Sequence, residues 1–455
     1  MSMCTIGIDI GSTSSKGVLY DVESAIVLRL ESDNTRPLIA GLPEGHHEED
    51  ASRLRDAAYG VIRRLLEFAS ERGHAVRAIC FTGQMHGGLL VDESLAPLSN
   101  FVTWQDKRGD EIFEGRPLAR SINHRISDPE REGIGSDIHT GFLGVTASWW
   151  KQKGKLPQDA KIIGIYDWIA STLTGQLVSD PSSVAAWGLY NIRDRRISDE
   201  ALQACGLTLS QFPEIVDIGE HIGPVRTMGH IGPISNSISI VSGMGDTQAS
   251  YIGSGCKHDE ILLNFGTGSQ LMIESERFGS YPGTDTRYLS KDKYLIVAPT
   301  LAGGKAYAIL ADFFIDVLQS FDIDVTDRNA IYSRMNELAR AASGGVGFTP
   351  YFLGSRTHGE NERAAITGLD TNNFRASALT KALLEGMMAE VRDPYCKLPE
   401  HLRQQTRVAA SGNGMRRNPA LRDVAEAAFG LPLRLSEFEE EAAIGAALTA
   451  ARAVA

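Results

Sequence analysis

The chain has 455 residues, of which 42% are apolar and 22% charged, and its formal net charge is −12. That length predicts two or more domains and a core large enough to support deep clefts. An acidic balance with no basic run excludes a basic nucleic-acid-binding stripe, and the lack of an uncharged apolar stretch of about 18 residues excludes a helical membrane span.

The first segment, TIGIDIGSTSSKGVLYD, alternates. Ile6, Ile8 and Ile10 share one face of a strand, with Gly7 and Asp9 on the other. The turn formers Gly11, Ser12, Thr13 and Ser14 follow, then a second strand-like run from Lys16 to Tyr20, so the spacing predicts a β-hairpin. A helical repeat fills residues 50–70 and stops near Gly73; the strand VRAICFTG comes next. Much later ILLNFGTGSQLMIES repeats the strand–turn–strand pattern around Gly266-Thr267-Gly268-Ser269, which suggests an internal duplication. Just before it, SISIVSGMGDTQASYIG reads as strand, Gly-rich turn and helix start. RVAASGNGMRRNPALRDVAEAAFG reads the same way, with Asn418 as N-cap, Pro419 as first helical residue and Gly430 as stop. An Ala-rich helix, EEEAAIGAALTAARA, closes the chain. The whole is α/β with mixed sheets, divided near residues 240–260 into domains 1–242 and 243–455.

The N-terminus enters a strand at once, without a charged and apolar leader, so a signal peptide is not expected. Cys4, Cys80, Cys205, Cys256 and Cys396 show no Cys-x-x-Cys spacing, which fits free thiols in a reducing cytoplasm. Neither a Walker A pattern nor a Gly-x-Gly-x-x-Gly after the first strand occurs, so phosphate binding would fall to the Gly/Ser/Thr hairpins. Small turn residues let backbone N–H groups converge on an anion. Lys16 would add a positive charge, and Asp9 would hold Mg2+ through water. For one hairpin alone an ordinary tight turn is the favoured reading; the second hairpin of the same type shifts the balance toward phosphate binding. Asp246, at a predicted helix start, is either an N-cap or an ionised general base favoured by the helix dipole. Gln84 and His86 in TGQMHGG are either structural or hydrogen-bonded to sugar hydroxyls. In TWQDKR an extended backbone would point Trp104, Asp106 and Arg108 the same way, as a sugar-stacking platform or as a core Trp beside an ion pair.

Taken in order, DIGSTSSK, SGMGDTQAS, NFGTGSQ, FTPYFLGSRT and SGNGMRRNP resemble the carbohydrate kinases of the FGGY family, from about residue 4 to about 450. The resemblance implies the actin-like ATPase (ribonuclease H-like) fold, with two similar domains, mixed sheets and a cleft between them. It implies ATP and Mg2+ as cofactors, and Asp246 as base and, with Asp9, as metal site. Gly11, Ser12, Thr13 and Lys16 would take the phosphates, opposite Gly266, Thr267 and Gly268. Gly303 and Gly304 would line the nucleotide cleft, and Gly412, Asn413 and Asn418 would flank the adenosine. Gln84, Met85, His86, Trp104, Asp106, Arg108 and Gln248 would line the sugar pocket. GQMHG and the Trp-x-Asp-x-Arg pattern are similar to the branches acting on xylulose and sedoheptulose. TWQDKR, HTGFLGVTASWW and SDPSSVAAWGLYNI favour sedoheptulose, and Ser411-Gly412-Asn413-Gly414 departs from the triple-Gly adenosine turn typical of the xylulose branch. The implied partners are a small sugar and MgATP, with no nucleic acid or membrane, in a cytoplasmic monomer or homodimer; a non-catalytic sensor on the same fold is the competing class.

Overall fold

The computed structural model describes residues 2–226, 238–266, 268–356, 358–359 and 361–455. The chain forms two compact units. The first comprises Met1–Gly253, Arg287–Tyr294 and Glu440–Ala455; the second comprises Ser254–Thr286 and Leu295–Glu439. Among the described residues each domain is built on a six-stranded mixed sheet.

In the first unit the sheet order is His221–Pro224, Ser239–Gly245, Ala75–Gly83, Met3–Ile10, Ser15–Asp21, Ile26–Asp33. The expected hairpin forms, with Ile10 opposite Ser15 and Asp9 opposite Lys16. Met3–Ile10 and Ser239–Gly245 both run parallel to Ala75–Gly83. One sheet face carries Ile6, Ile8, Ile10 and Leu19 against the apolar stripe Leu54, Ala58, Val61, Ile62 and Leu65 of helix Ala51–Glu71. That helix starts where its sequence says it should, because the Asp50 carboxylate accepts from Arg53 N.

The Ala-rich terminal helix, Glu441–Val454, covers another part of this unit at backbone distance. A Cβ at Gly7 would lie 1.9 Å from Ala443 O, one at Gly253 would lie 1.8 Å from Glu441 O, and one at Gly445 would lie 1.9 Å from Ala249 O. Thr5 Oγ1 donates to Ala447 O at 2.9 Å. Small residues are therefore required on both sides of the packing, which is why the helix is written in alanine.

The second six-stranded sheet runs in the order Asp285–Ser290, Lys293–Thr300, Ser269–Ser275, Glu260–Phe265, Arg407–Ser411, Leu433–Leu435, most of it in the second unit. Again an antiparallel hairpin, Glu260–Phe265 with Ser269–Ser275, leads into parallel pairing, here with Arg407–Ser411. The duplication suggested by the two Gly/Ser/Thr turns is thus present as sheet topology. Ile261, Leu263, Phe265, Leu271 and Ile273 pack with helices Gly303–Ser320 and Ala376–Lys397. Asn418 caps Pro419–Phe429 by accepting from Leu421 N, and Gly430 ends it at φ +65°, both as expected. RDPYCKLPEHLRQQ forms the last turns of the long helix, with Pro394 inside it, and continues in a short 3-10 turn at Glu400–Leu402. No described helix is long and apolar enough to cross a membrane.

Glu390 is buried in Ala376–Lys397, and burial pushes its carboxyl from the ordinary 4.5 up to about 7. Between those values the folded chain holds a proton that the unfolded chain has lost, so this group's contribution to stability falls as pH rises through the window. Glu390→Gln is expected to flatten that slope between pH 5 and 8 and to add on the order of 2 kcal/mol at pH 8. Urea denaturation of both proteins across the range checks it; parallel pH curves would show that no neutral carboxyl is buried there.

Candidate active site

Three strands of the first sheet end level with one another: Gly83 is the register partner of both Ile10 and Gly245. The segments that follow, Gly11–Thr13, Gln84–His86 and Asp246–Gln248, therefore leave the same edge at the same height. Ligands of parallel α/β sheets bind at this carboxyl end of the strands.

Asp9 is the penultimate residue of its strand and Asp246 the first residue of helix Asp246–Gly253, so Asp246 sits inside the helix start rather than capping it. Both are half-buried. Asp9 Oδ1 has no hydrogen-bond partner among the described residues. Burial, then the nearby Asp246 charge, push the Asp9 carboxyl up to about 7 against the pull of Lys16. Burial also raises Asp246, opposed by the Arg287 guanidinium and by hydrogen bonds from Thr247. The helix start was expected to favour the ionised form of Asp246; desolvation outweighs it. Two adjacent carboxyls, one with an orphaned oxygen, suit a hydrated divalent cation, so the residues present fit Mg2+.

Around them the hairpin turn is closed by Gly11 N donating to Ser14 O at 3.1 Å. Ser12 is half-buried and its carbonyl accepts from Arg36 Nη2; Thr13 is exposed. Lys16 Nζ lies 2.6 Å from Glu440 Oε2. The phosphate role expected for Lys16 therefore has to be shared with this ion pair.

Gln84 is buried, with Nε2 3.4 Å from Glu49 Oε2. Met85 is buried against Gly245, where a Cβ would meet its sulfur at 2.5 Å. His86 adopts φ +71°, stacks on Phe142 and donates from Nδ1 to Ala186 O at 2.7 Å. In the neutral ring this bond makes Nε2 the acceptor. Gln248 donates to Tyr288 O, and its Oε1 has no partner among the described residues.

The Trp104–Arg108 stretch is not extended. It turns at Thr103–Asp106, with Asp106 N donating to Thr103 O. The reason is the Asp106 carboxylate: it accepts from Arg108 N, Arg108 Nε, Arg108 Nη2 and His47 N, and so folds the segment around itself. Trp104 is consequently 49% exposed while Asp106 and Arg108 are buried. Arg108 also pairs with Glu48 at 2.6 Å and lies over the Trp149 ring. Sequence reasoning missed Glu49, whose buried carboxyl is raised by desolvation, and Arg287 and Arg36. The available signal for the first was the acidic run HHEED at residues 46–50.

In the second unit the turn after Phe265 is closed by Gly266 N donating to Gly268 O. Thr267 lies outside the described residues. Helix Gly303–Ser320 begins directly on this turn: Gly304 N donates to Gly266 O, and at Gly303, φ +32°, a Cβ would lie 2.4 Å from Gly268 C. Backbone amides and a helix N-terminus thus meet over glycines, the usual construction of an anion site. Gly412, φ +81°, could carry no Cβ without meeting Asn264 Oδ1 and Phe265 O at 2.7 Å. Asn413 is exposed; Asn418 is buried with its side chain committed to the helix cap. Beside it a cavity of about 620 Å3 is lined by Ser333, Asn336, Glu337, Arg340, Arg417 and Pro419.

Residues 4–253 match the N-terminal domain and residues 261–454 the C-terminal domain of the FGGY family of carbohydrate kinases. Human sedoheptulokinase is 27% identical over 98% of this chain and 97% of its own length. Bacillus subtilis gluconokinase is 26% identical over 98% and 87%. The crystal structure of xylulose kinase from Rhodospirillum rubrum superposes with a TM-score of 0.88 at 23% identity, covering 99% of this chain and 90% of that one. Fold and sequence together define a sugar kinase with the actin-like ATPase architecture. The chain belongs to the FGGY family of carbohydrate kinases.

The Asp106–Arg108–Glu48 cluster is a buried ion network, and removing one partner leaves charge uncompensated. Asp106→Ala is expected to cost about 3–5 kcal/mol in urea denaturation, while the exposed neighbour Asp110→Ala should change little. Equal midpoints for the two variants would show that the network does not hold this loop.

Proposed function

We propose that the protein transfers the γ-phosphoryl group of ATP to the terminal hydroxyl of a ketose, sedoheptulose giving sedoheptulose 7-phosphate. The observation that carries this reading is the Asp9–Asp246 pair at the level strand ends of the first sheet, with Gln84, Met85, His86 and Gln248 leaving the same edge. Asp246 accepts the hydroxyl proton. The hydroxyl oxygen attacks in line, and because the phosphoryl transition state is loose, positioning and electrostatics supply most of the acceleration.

The sugar is held by Gln84, Met85, His86, Trp104, Asp106, Arg108 and Gln248. His86 Nε2 accepts from a hydroxyl, and Asp106 acts by holding Arg108, since its own acceptor positions are taken. Each unit by itself offers donors for ATP phosphates: in the first the amides of Ser12 and Thr13, on the turn that Gly11 closes, with Lys16; in the second the turn at Gly266 and Gly268 with the helix start at Gly303 and Gly304. Gly412, Asn413 and Asn418 flank the adenosine, and the adjoining cavity has the volume for a nucleoside. Asp9, through water, and Asp246 would hold Mg2+, which would supply positive charge against the phosphates.

Asp246→Asn is expected to lower kcat by about 10²–10⁴-fold while ATP binding stays within a few-fold. Near-normal turnover in that variant would remove Asp246 from the role of base. The substrate is tested by coupled ADP release over sedoheptulose, xylulose, ribulose and glycerol. The highest kcat/KM is expected for sedoheptulose; a five-carbon ketose in first place would overturn that assignment, and xylulose in first place would transfer it to the runner-up substrate.

A further inference from the structure

Behind Gly245 lies a closed set of polar side chains that the proposed chemistry does not use. Tyr166, Asp167, Ser179, Asp180, Ser182 and Ser183 are all buried. Ser179 Oγ and Ser183 Oγ donate to Asp167 Oδ2 at 2.8 Å. Tyr166 Oη donates to Asp180 Oδ2 at 2.9 Å and also touches Ser183 Oγ. Asp180 caps the six-residue helix Pro181–Ala186, accepting from Ser182 N and Ser183 N. It also accepts from Ser182 Oγ at 2.5 Å. Burial raises both carboxyls; at Asp180 the four donors turned toward it oppose the rise, while at Asp167 the neighbouring Asp180 adds to burial and pushes it well above the usual carboxylate range.

One bond leaves this set toward the proposed base. Ser182 Oγ gives its proton to Asp180 and accepts from Gly245 N at 3.0 Å. Gly245 immediately precedes Asp246. The strand there needs such a hold, because its pairing with Ala75–Gly83 shifts register between Val241 and Met244. Met85 blocks one side of Gly245 and cross-strand Gly83 flanks it. The other end of the same short helix reaches the sugar side: Ala186 O is the acceptor for His86 Nδ1. A rigid, capped, proline-started turn of helix therefore touches the backbone of the base at one end and a proposed sugar ligand at the other.

We propose that Ser182, oriented by Asp180, is a positioning residue: its hydroxyl fixes the Gly245 N–H and thereby the place of the Asp246 carboxylate relative to His86. This rests on Asp246 being the base. A carboxylate displaced by about 1 Å costs up to about 10²-fold in rate without altering how tightly either substrate is held.

The test is steady-state kinetics with the ketose and MgATP on the full chain, with melting temperatures measured alongside. Ser182→Ala is expected to lower kcat about 10–100-fold while KM for sugar and ATP each stay within about twofold. Ser182→Thr, which restores a hydroxyl, should recover most of kcat. Ser182→Cys, which keeps the volume but weakens the acceptor, should lose kcat in the same direction even where the Ala variant fails to fold. A kcat within twofold of wild type for folded Ser182→Ala or Ser182→Cys overturns the inference, as does a loss expressed in KM alone. Asp246→Asn separates this from the underlying reading. An inactive Asp246→Asn beside a fully active Ser182→Ala removes Ser182 and leaves the base in place. An active Asp246→Asn removes the base and the inference with it.

Discussion

The first unit's site depends on a register. Ile10, Gly83 and Gly245 stand at one level across three neighbouring strands, so three unrelated stretches of sequence emerge side by side. Glycine at two of these positions is a steric requirement. A Cβ on Gly83 would meet Ile10 O at 2.7 Å, and one on Gly245 would enter the Met85 side chain. A slip of one residue in either strand would turn Asp9 to the opposite face or lift Asp246 away from it. What brings the two carboxyls together is thus strand pairing, and their mutual effect on proton affinity follows from it.

Much of this was legible in the chain itself. The two Gly/Ser/Thr turns announced themselves by alternation on either side, and Asn418-Pro419 with Gly430 marked a helix at both ends, because caps and turns are local chemistry. The acid at position 246 was open between N-cap and base on local sequence, and only the family resemblance singled it out; desolvation rather than the helix start governs its proton affinity. The TWQDKR loop was misread in shape. A strand-like period was assumed where Asp106 collects four donors, one of them His47 N from a segment about sixty residues earlier. No local pattern encodes that partner. Glu49 and Arg287 escaped for the same reason: each matters through what the fold sets beside it.

The second unit shows the same grammar with a different emphasis. Its turn is built for backbone approach, since Gly303, Gly304 and Gly412 lie too close to Gly268, Gly266 and Phe265 for any side chain. Where the first unit offers carboxyls, this one offers amides and the start of an 18-residue helix. That division suits a phosphoryl donor whose recognition is mostly charge and shape, and an acceptor whose recognition is mostly hydroxyl geometry.

The terminal helix completes the argument, because it sets the spacing that the register alone leaves open. Gly7 and Thr5 on the first strand contact Ala443 and Ala447, while Ala249 and Gly253 on the helix after Asp246 contact Gly445 and Glu441. One Ala-rich rod thus lies against both the strand carrying Asp9 and the helix carrying Asp246, at distances that a single methyl group would spoil. Glu440, one residue before that rod, holds Lys16 across from Asp9 in the hairpin. The last sixteen residues of the chain therefore act on the same few charges as the first sixteen. Alanine and glycine there carry as much of the site's geometry as the carboxyls do.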